Sequence, residues 1–328
     1  MAGGRAFRRL LEIAATMLAV SAIVYAVLEV DASDVAVKVL GPYSTVAQRQ
    51  LWLHENGYDA PFAWRYLVWL AHFISGDWGQ SVHYREQVLR LVRERLAATA
   101  LLAGLTLAVT VPLSFVLGIA AGAREGSVTD RVVSFFCVLA TSVPEYASAA
   151  FLSGVFVFWL GWLPGASTMM SGFAPQELVL PVSVLVIYAS GYLARITRAA
   201  MVETMSAPYI RTAMMKGASP GRIILRHALR NALIAPVTVV MLYVPWLLSG
   251  VIVVEVFFSY PGFGSLLYEA AMNSDITLIE GCAMVSVVVV VGTQLLSEVL
   301  YAALNPRLRH GRRQNVVEPT ANLIKAAE

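Results

Sequence analysis

"TAMMKGASPGRIILRHALRNALIAP", residues 212–236, breaks the pattern around it. Long apolar runs lie on both sides, yet this stretch carries Lys216, Arg222, Arg226 and Arg230. Ser206 followed by Pro208 predicts a helix start, and Gly217 its stop. Ser219 reads as a cap, with Pro220 opening a second helix that continues into the next apolar run. On the first helix Ile210, Ala213 and Met214 share one side, an apolar face too small to span or anchor anything. In the second, Arg222, Arg226 and Arg230 recur every four residues and form one stripe.

The surroundings say what kind of chain holds this segment. Of 328 residues, 58% are hydrophobic and 14% charged. Soluble domains carry about 25% charged residues, so there are too few charges here to coat a globular surface. Six runs reach membrane-spanning length, at about 10–29, 97–122, 132–160, 178–199, 232–255 and 281–304. The first follows Arg5, Arg8 and Arg9 like a secretory signal, but its apolar core is long and no clear cleavage site precedes "EVDASD". It reads as an uncleaved span. Cys137 and Cys282 sit inside apolar runs and read as small buried hydrophobes.

Lys and Arg placement predicts the orientation. The segment after the fourth run carries Arg195, Arg198, Arg211, Lys216, Arg222, Arg226 and Arg230 against Glu203 alone, and the tail carries Arg307, Arg309, Arg312 and Arg313. The loops "LPGASTMMSGFAPQE" and "FFSYPGFGSLLYEAAMNSDITLIE" have neither Lys nor Arg. Both termini and the basic loop are therefore expected on the cytoplasmic side. Exporting those cations would oppose about 1 kcal/mol for each near an anionic leaflet, and about 3 kcal/mol for one at mid-bilayer. Residues 1–30 then hold the cytoplasmic N-terminus and first span, and 31–96 form a long extracytoplasmic segment with balanced charge. Five spans and a basic loop at 200–231 occupy 97–306, and a tail with no clear period fills 307–328. In "QVLRLVRERLAAT", Val88, Leu91, Val92 and Leu96 share one face, which suggests an interfacial helix before the second span.

No G-x-x-x-x-G-K-[ST] loop exists, and Lys38, Lys216 and Lys325 are the only lysines. An H-E-x-x-H signature is also missing. His54, His72, His83, His227 and His310 lack ligand spacing, so no metal or catalytic site is expected. The sharpest buried polar group is Glu145, just after Pro144 in the third run; an ionisable residue there faces a cavity or a partner. It could meet a cationic group on a solute or pair with a neighbouring subunit. Ser142, Tyr146, Trp246 and Ser249 are further lining candidates, and Pro144 and Pro245 permit kinks.

By spacing alone, the basic segment could be a solvated loop whose cations merely hold topology. A DNA-binding helix–turn–helix is disfavoured, because both helices are tethered close to the bilayer. The residues themselves are more specific. "RTAMMKGAS" and "HALRNAL" resemble the cytoplasmic coupling loop of binding-protein-dependent ABC importer permeases, in the dipeptide, oligopeptide and nickel branch. "SGDWGQS", "RERLAAT", "TSVPEY", "VVEVFFSYPGFGSLLYEA" and "NPRLR" resemble further motifs of that branch in the same order. Asn305 and Tyr146 depart from its usual Asp and Phe.

That resemblance implies an all-α integral membrane protein with the six-helix type I importer fold, in a bacterial inner membrane. It implies a subunit without its own ATPase site that forms a pathway for peptides or peptide-like solutes. Nickel, metal chelates, opines and glutathione are the alternatives. The implied partners are a second homologous permease, two ATPases that use ATP and Mg, an extracytoplasmic solute-binding protein and the lipid bilayer, with no nucleic acid. Coupling to the ATPase would rest on Ile210, Arg211, Thr212, Ala213, Met214, Lys216, Gly217, Ser219 and Arg222. A gradient-driven transporter would call for internal repeats, and none is convincing; an intramembrane enzyme would need catalytic pairs.

Overall fold

The computed structural model describes residues 2–29, 32–170, 172–249 and 251–304. Among the described residues the chain is helical almost throughout, and an isolated antiparallel bridge between Gln80 and Gln87 is the only strand-like pairing. In order come α1 (Ala2–Glu29), α2 (Ala32–Leu40), α3 (Val46–Glu55), α4 (Phe62–Ser75) and α5 (Val88–Gly122). Then follow α6 (Val128–Ser142), α7 (Glu145–Ser153) with a π-helical extension (Gly154–Trp159), α8 (Pro175–Met205) and α9 (Pro208–Met215). After α10 (Pro220–Arg222) and a π-helical turn (Ile223–Ala228) come α11 (Leu229–Ala232), α12 (Ile234–Ser249), α13 (Ile252–Phe257), α14 (Phe263–Met272) and α15 (Ile276–Leu304). The motif "NPRLR" and the tail lie outside the described residues.

Four helical stretches are long and apolar enough to cross a membrane unbroken: Leu11–Glu29, Val88–Gly122, Pro175–Met205 and Ile276–Ser297. Six spans result only when two bent pairs are counted. The expected third run breaks between α6 and α7, which with its extension meets α6 at 101°. Pro144 forces that break. Val143 before it takes an extended backbone (φ −90°, ψ 124°), as a residue ahead of proline must, and Pro144 caps the next helix. The fifth run is bent by 50° where residues 220–232 meet α12, so the second helix of the basic segment does not enter the span straight.

The expected separate interfacial helix is also corrected. Residues 88–96 are the first turns of α5, whose 35 residues extend about 52 Å at 1.5 Å per residue, well beyond a hydrocarbon core of about 30 Å. Val88, Leu91, Val92 and Leu96 do share a face, but they pack against Phe263, Leu266, Leu278 and Cys282 of α14 and α15 rather than lying on lipid.

The centre of the bundle is the pair α5 and α8. From Thr99 onward the buried residues of α5 are Thr99, Leu102, Ala103, Thr106, Thr110, Ser114, Gly118, Ala121 and Gly122, small or polar at every position but Leu102. Leu101, Leu105, Val109, Leu113 and Val116 point outward. A soluble helix would show the reverse. Lipid tails are as apolar as leucine, so burying leucine gains little there, and close backbone approach drives the pairing instead. A Cβ on Gly118 would lie 2.5 Å from Thr197 Cβ, and one on Gly122 would lie 2.7 Å from the carbonyl of Arg198.

A second lock sits in "VVEVFFSYPGFGSLLYEA". The fully buried Glu255 carboxylate accepts hydrogen bonds from Thr99 Oγ1 (2.5 Å) and the Ser265 amide (2.8 Å), at the start of α14. Thr99 Oγ1 in turn accepts from the Phe263 amide at 2.7 Å. A Cβ on Gly262 would overlap that carboxylate, and one on Gly264 would lie 2.9 Å from it. These two glycines leave room for an anion at a helix N-terminus, where amide dipoles favour negative charge.

Candidate functional site: the basic elbow and the bent third span

The chain leaves α8 through Ala207, extended ahead of Pro208, which takes the first position of α9. Ser206 therefore closes α8 rather than starting the new helix. Eight residues later α9 ends in a Schellman arrangement. Gly217 has φ +79°, its amide donates to the Met214 carbonyl (2.9 Å), and the Ala218 amide donates to Ala213 (3.2 Å). A side chain at Gly217 would meet nothing within 4 Å, so the requirement for glycine is backbone strain, not crowding. Ser219 holds the expected cap position with Pro220 after it, but its side chain makes no capping hydrogen bond.

Beneath α9 lies a small apolar socket. Ile210 is fully buried with Met201, Ile223, Ala228 and Ala232, and Ala213 packs at the edge. Ile210, one of the residues assigned to ATPase coupling, roots α9 in its own chain. Met214, expected on the same face, points outward. The buried residues Ile223 and Ala228 are five apart, the spacing of the π-turn they bound. Arg222, Arg226 and Arg230 remain exposed. Asn231 Nδ2 donates to Tyr209 Oη (2.9 Å) and straps α9 to α11.

What α9 shows to the outside is Tyr209, Arg211, Thr212, Met214, Met215 and Lys216. Met215 is 80% exposed, Met214 48%. Reading the sequence for one apolar face missed Tyr209 and Met215; the wide gap between a buried Ile210 and two exposed methionines is the signal that separates root from tip. Methionine is soft and adapts to varied surfaces, so the tip joins adaptable apolar contact to positive charge.

Beside the elbow, Arg198 donates to Asp130 through both Nε and Nη2 (2.7 Å to Oδ2), and the Gly126 amide adds a bond of 2.9 Å. This fork ties the start of α6 to the end of α8. The sequence reading counts Arg198 only as a topological cation.

At the 101° bend, Ser142, Pro144, Glu145 and Tyr146 cluster by chain continuity. Ser142 Oγ is engaged by the Val138 carbonyl (2.8 Å) of its own helix. Glu145 is half-buried at the first position of α7, and its side chain makes no hydrogen bond or ion pair among the described residues. Tyr146 is exposed. Trp246 is not with them: it stacks on Tyr188 (5.7 Å between centroids) and packs against the central core. The side chain of Ser249 lies outside the described residues. Next to the bend, an open apolar cleft of about 790 Å³ is lined by Leu117, Phe136, Leu139, Val143, Phe151 and Ile187 among others.

A helical bundle with this elbow and a mostly apolar exterior is the membrane-spanning part of a transporter. Residues 114–310 match the family described as binding-protein-dependent transport system inner membrane component, and the chain belongs to that family. It is a multi-pass inner-membrane permease subunit of an ABC importer. It is 31% identical over 307 residues to a probable peptide ABC transporter permease of Sinorhizobium fredii, covering 92% of this chain and 98% of that one. A glutathione transport system permease of Salmonella choleraesuis is 32% identical, with 92% and 98% covered. An oligopeptide transport system permease of Bacillus subtilis is 29% identical, again with 92% and 98% covered. The crystal structure of an amino acid ABC transporter with histidines superposes with a TM-score of 0.50 at 16% identity, over 66% of this chain and 94% of that chain. That likeness concerns the fold.

Proposed function

We propose that this permease forms one side of a pathway for peptides or peptide-like solutes and is driven by separate ATPase subunits that grip α9 from the cytoplasm. The observation that carries the reading is the construction of α9: a fully buried Ile210 root, a glycine-locked end, and a tip of Arg211, Thr212, Met214, Met215 and Lys216 left exposed. Push on that tip, and the short rigid turn through Ser219 and Pro220 carries the displacement into α12, changing which side the pathway opens to. The chain contributes no phosphate-binding loop; ATP and Mg belong to the partner ATPases. Both termini lie with the elbow on the cytoplasmic side, and a solute-binding protein delivers cargo from the other.

A second homologous permease completes the pathway by covering the apolar cleft at the bend, and Glu145 either meets a solute ammonium or pairs across that interface. Peptide cargo is favoured because the relatives are named for peptide, oligopeptide and glutathione transport, and glutathione is itself a small peptide. Nickel, metal chelates and opines are alternative cargo for the same architecture.

The test is uptake in proteoliposomes containing the whole complex, with Met214→Glu/Met215→Glu in α9. ATP-driven uptake should fall at least about tenfold (roughly 1.4 kcal/mol of coupling), and less ATPase should co-purify, while membrane insertion is unchanged. Full ATP-driven uptake by this variant would refute the handle, and uptake that follows an ion gradient without ATP would refute the importer itself.

A further inference from the structure

At the end of the bundle opposite α9, a cavity of about 590 Å³ lies between α1, α3, α4 and the start of α15. Aromatic rings wall it in series: Tyr25 and Trp69 have centroids 5.2 Å apart, Trp69 and Phe73 5.6 Å, Phe73 and Trp78 4.6 Å. An aromatic belt at a membrane interface would account for the rings. It would not account for Glu29, Arg65 and Glu280 lining the same space, with His72 and Asp77 at its exposed rim.

Two of these charges answer each other. Glu29 accepts from Tyr58 Oη (2.9 Å) and pairs with Arg65 Nη1 (3.3 Å), while the guanidinium lies 4.5 Å over the Tyr58 ring. Glu280 is left over. It is 5% exposed, one oxygen accepts from Trp69 Nε1 (2.8 Å), and its Oε1 is buried with no partner among the described residues. Arg65 Nε is likewise buried and unpartnered. The cavity thus holds one unpartnered oxygen on the Glu280 carboxyl group, one unpartnered N–H on a guanidinium, and ring faces that attract cations. Buried polar groups are otherwise almost always satisfied, so these two atoms are the cavity's candidates for meeting a ligand's polar groups.

We propose that this cavity binds a zwitterion, with a primary ammonium on Glu280 Oε1 and an anionic oxygen on Arg65 Nε. A phosphoethanolamine lipid headgroup is the favoured source, because the cavity sits where one membrane-length helix ends at Glu29 and another begins at Ile276. A soluble zwitterion presents the same chemistry. The ammonium must be primary, since a quaternary nitrogen keeps the attraction to the rings but has no N–H for Glu280.

The experiment uses the whole transporter in nanodiscs of phosphatidylglycerol mixed with phosphatidylethanolamine, its mono- and dimethyl derivatives, or phosphatidylcholine. Native mass spectrometry reads the lipid retained. Wild type should retain phosphatidylethanolamine about tenfold over phosphatidylcholine at equal mole fraction, a ratio equal to about 1.4 kcal/mol, with a graded fall through the series. Glu280→Gln should flatten the series; its amide oxygen can still accept from Trp69, and the methylation series on wild type needs no variant. In phosphatidylglycerol nanodiscs, a saturable rise in Tm with soluble phosphoethanolamine, lost in Glu280→Gln, would support the site and assign it to a soluble ligand if lipid retention is flat. A flat lipid series together with no response to phosphoethanolamine overturns the proposal.

Discussion

The two ends of this bundle use charge in opposite ways. At the elbow, Ile210 is inside and Arg211, Lys216, Arg222, Arg226 and Arg230 are outside, none of their side chains in a hydrogen bond or ion pair with another described residue. At the other end some acidic groups are inside. Glu255 and Asp275 are buried, and Asp275 accepts from Ser81 Oγ (2.5 Å), the His83 amide (3.1 Å) and the Leu278 amide (3.2 Å). Tyr84 donates to Glu269 across the same junction. One end is tied together through buried acidic groups. At the other, α9 is rooted by a hydrophobe and its cations and methionines stay exposed, with the Asp130–Arg198 fork alongside. Where charge is satisfied inside the chain, the region serves the fold; where it is exposed beside uncovered methionines, the region has the surface that the proposed contact needs.

The harshest way to break this comparison is Glu255→Leu. It strips the acceptor from Thr99 and the Ser265 amide while both stay buried. Removing one partner of such a buried charged network costs about 3–5 kcal/mol, so folded yield on size exclusion and Tm in detergent should both collapse. An unchanged Tm would mean that this end is held by apolar packing after all. Next comes Ile210→Ala. Loss of a buried isoleucine costs about 2–5 kcal/mol in a rigid core; here, at one edge of the molecule, it should loosen α9 and lower ATP-driven uptake more than it lowers Tm. Equal losses in both would make the root part of the global core. Gly217→Leu forces a side chain into a left-handed backbone (φ +79°), at a cost of about 1–2 kcal/mol. Protease sensitivity confined to 206–220 is the expected result, with coupling spoiled and insertion intact.

How much of this could be read from residues alone depends on the range of the interaction. Hydropathy locates the spans because lipid imposes it everywhere, and Pro208, Gly217 and Pro220 mark the elbow because capping is local. The stripe of Thr99, Ala103, Thr106, Thr110, Ser114, Gly118 and Gly122 is visible in the sequence, yet a search for apolar runs passes over it. Glu255 meets a partner 156 residues away, and Asp130 meets Arg198 across 68; no local rule pairs them. Pro144 announces a break, but the 101° angle follows from packing. Ile210 and Met214 are one helical turn apart and equivalent by period. Only the socket beneath α9 makes one a root and leaves the other at the tip.

The smallest expected change in stability is also the sharpest test of the comparison. Met215 is 80% exposed at the end of α9 and has nothing to lose in its own chain, so Met215→Ser should shift stability by less than about 0.5 kcal/mol, as for surface positions generally. If the tip serves a partner, the same change should still lower ATP-driven uptake in the whole complex, because a polar hydroxyl replaces a soft apolar contact. Tm and uptake measured on one preparation decide it. A falling uptake at constant Tm places the lost contact in a second molecule. Unchanged uptake would strip Met215 of that role and leave Arg211 and Lys216, the charged part of the tip, as the contact to be tested by neutral substitution.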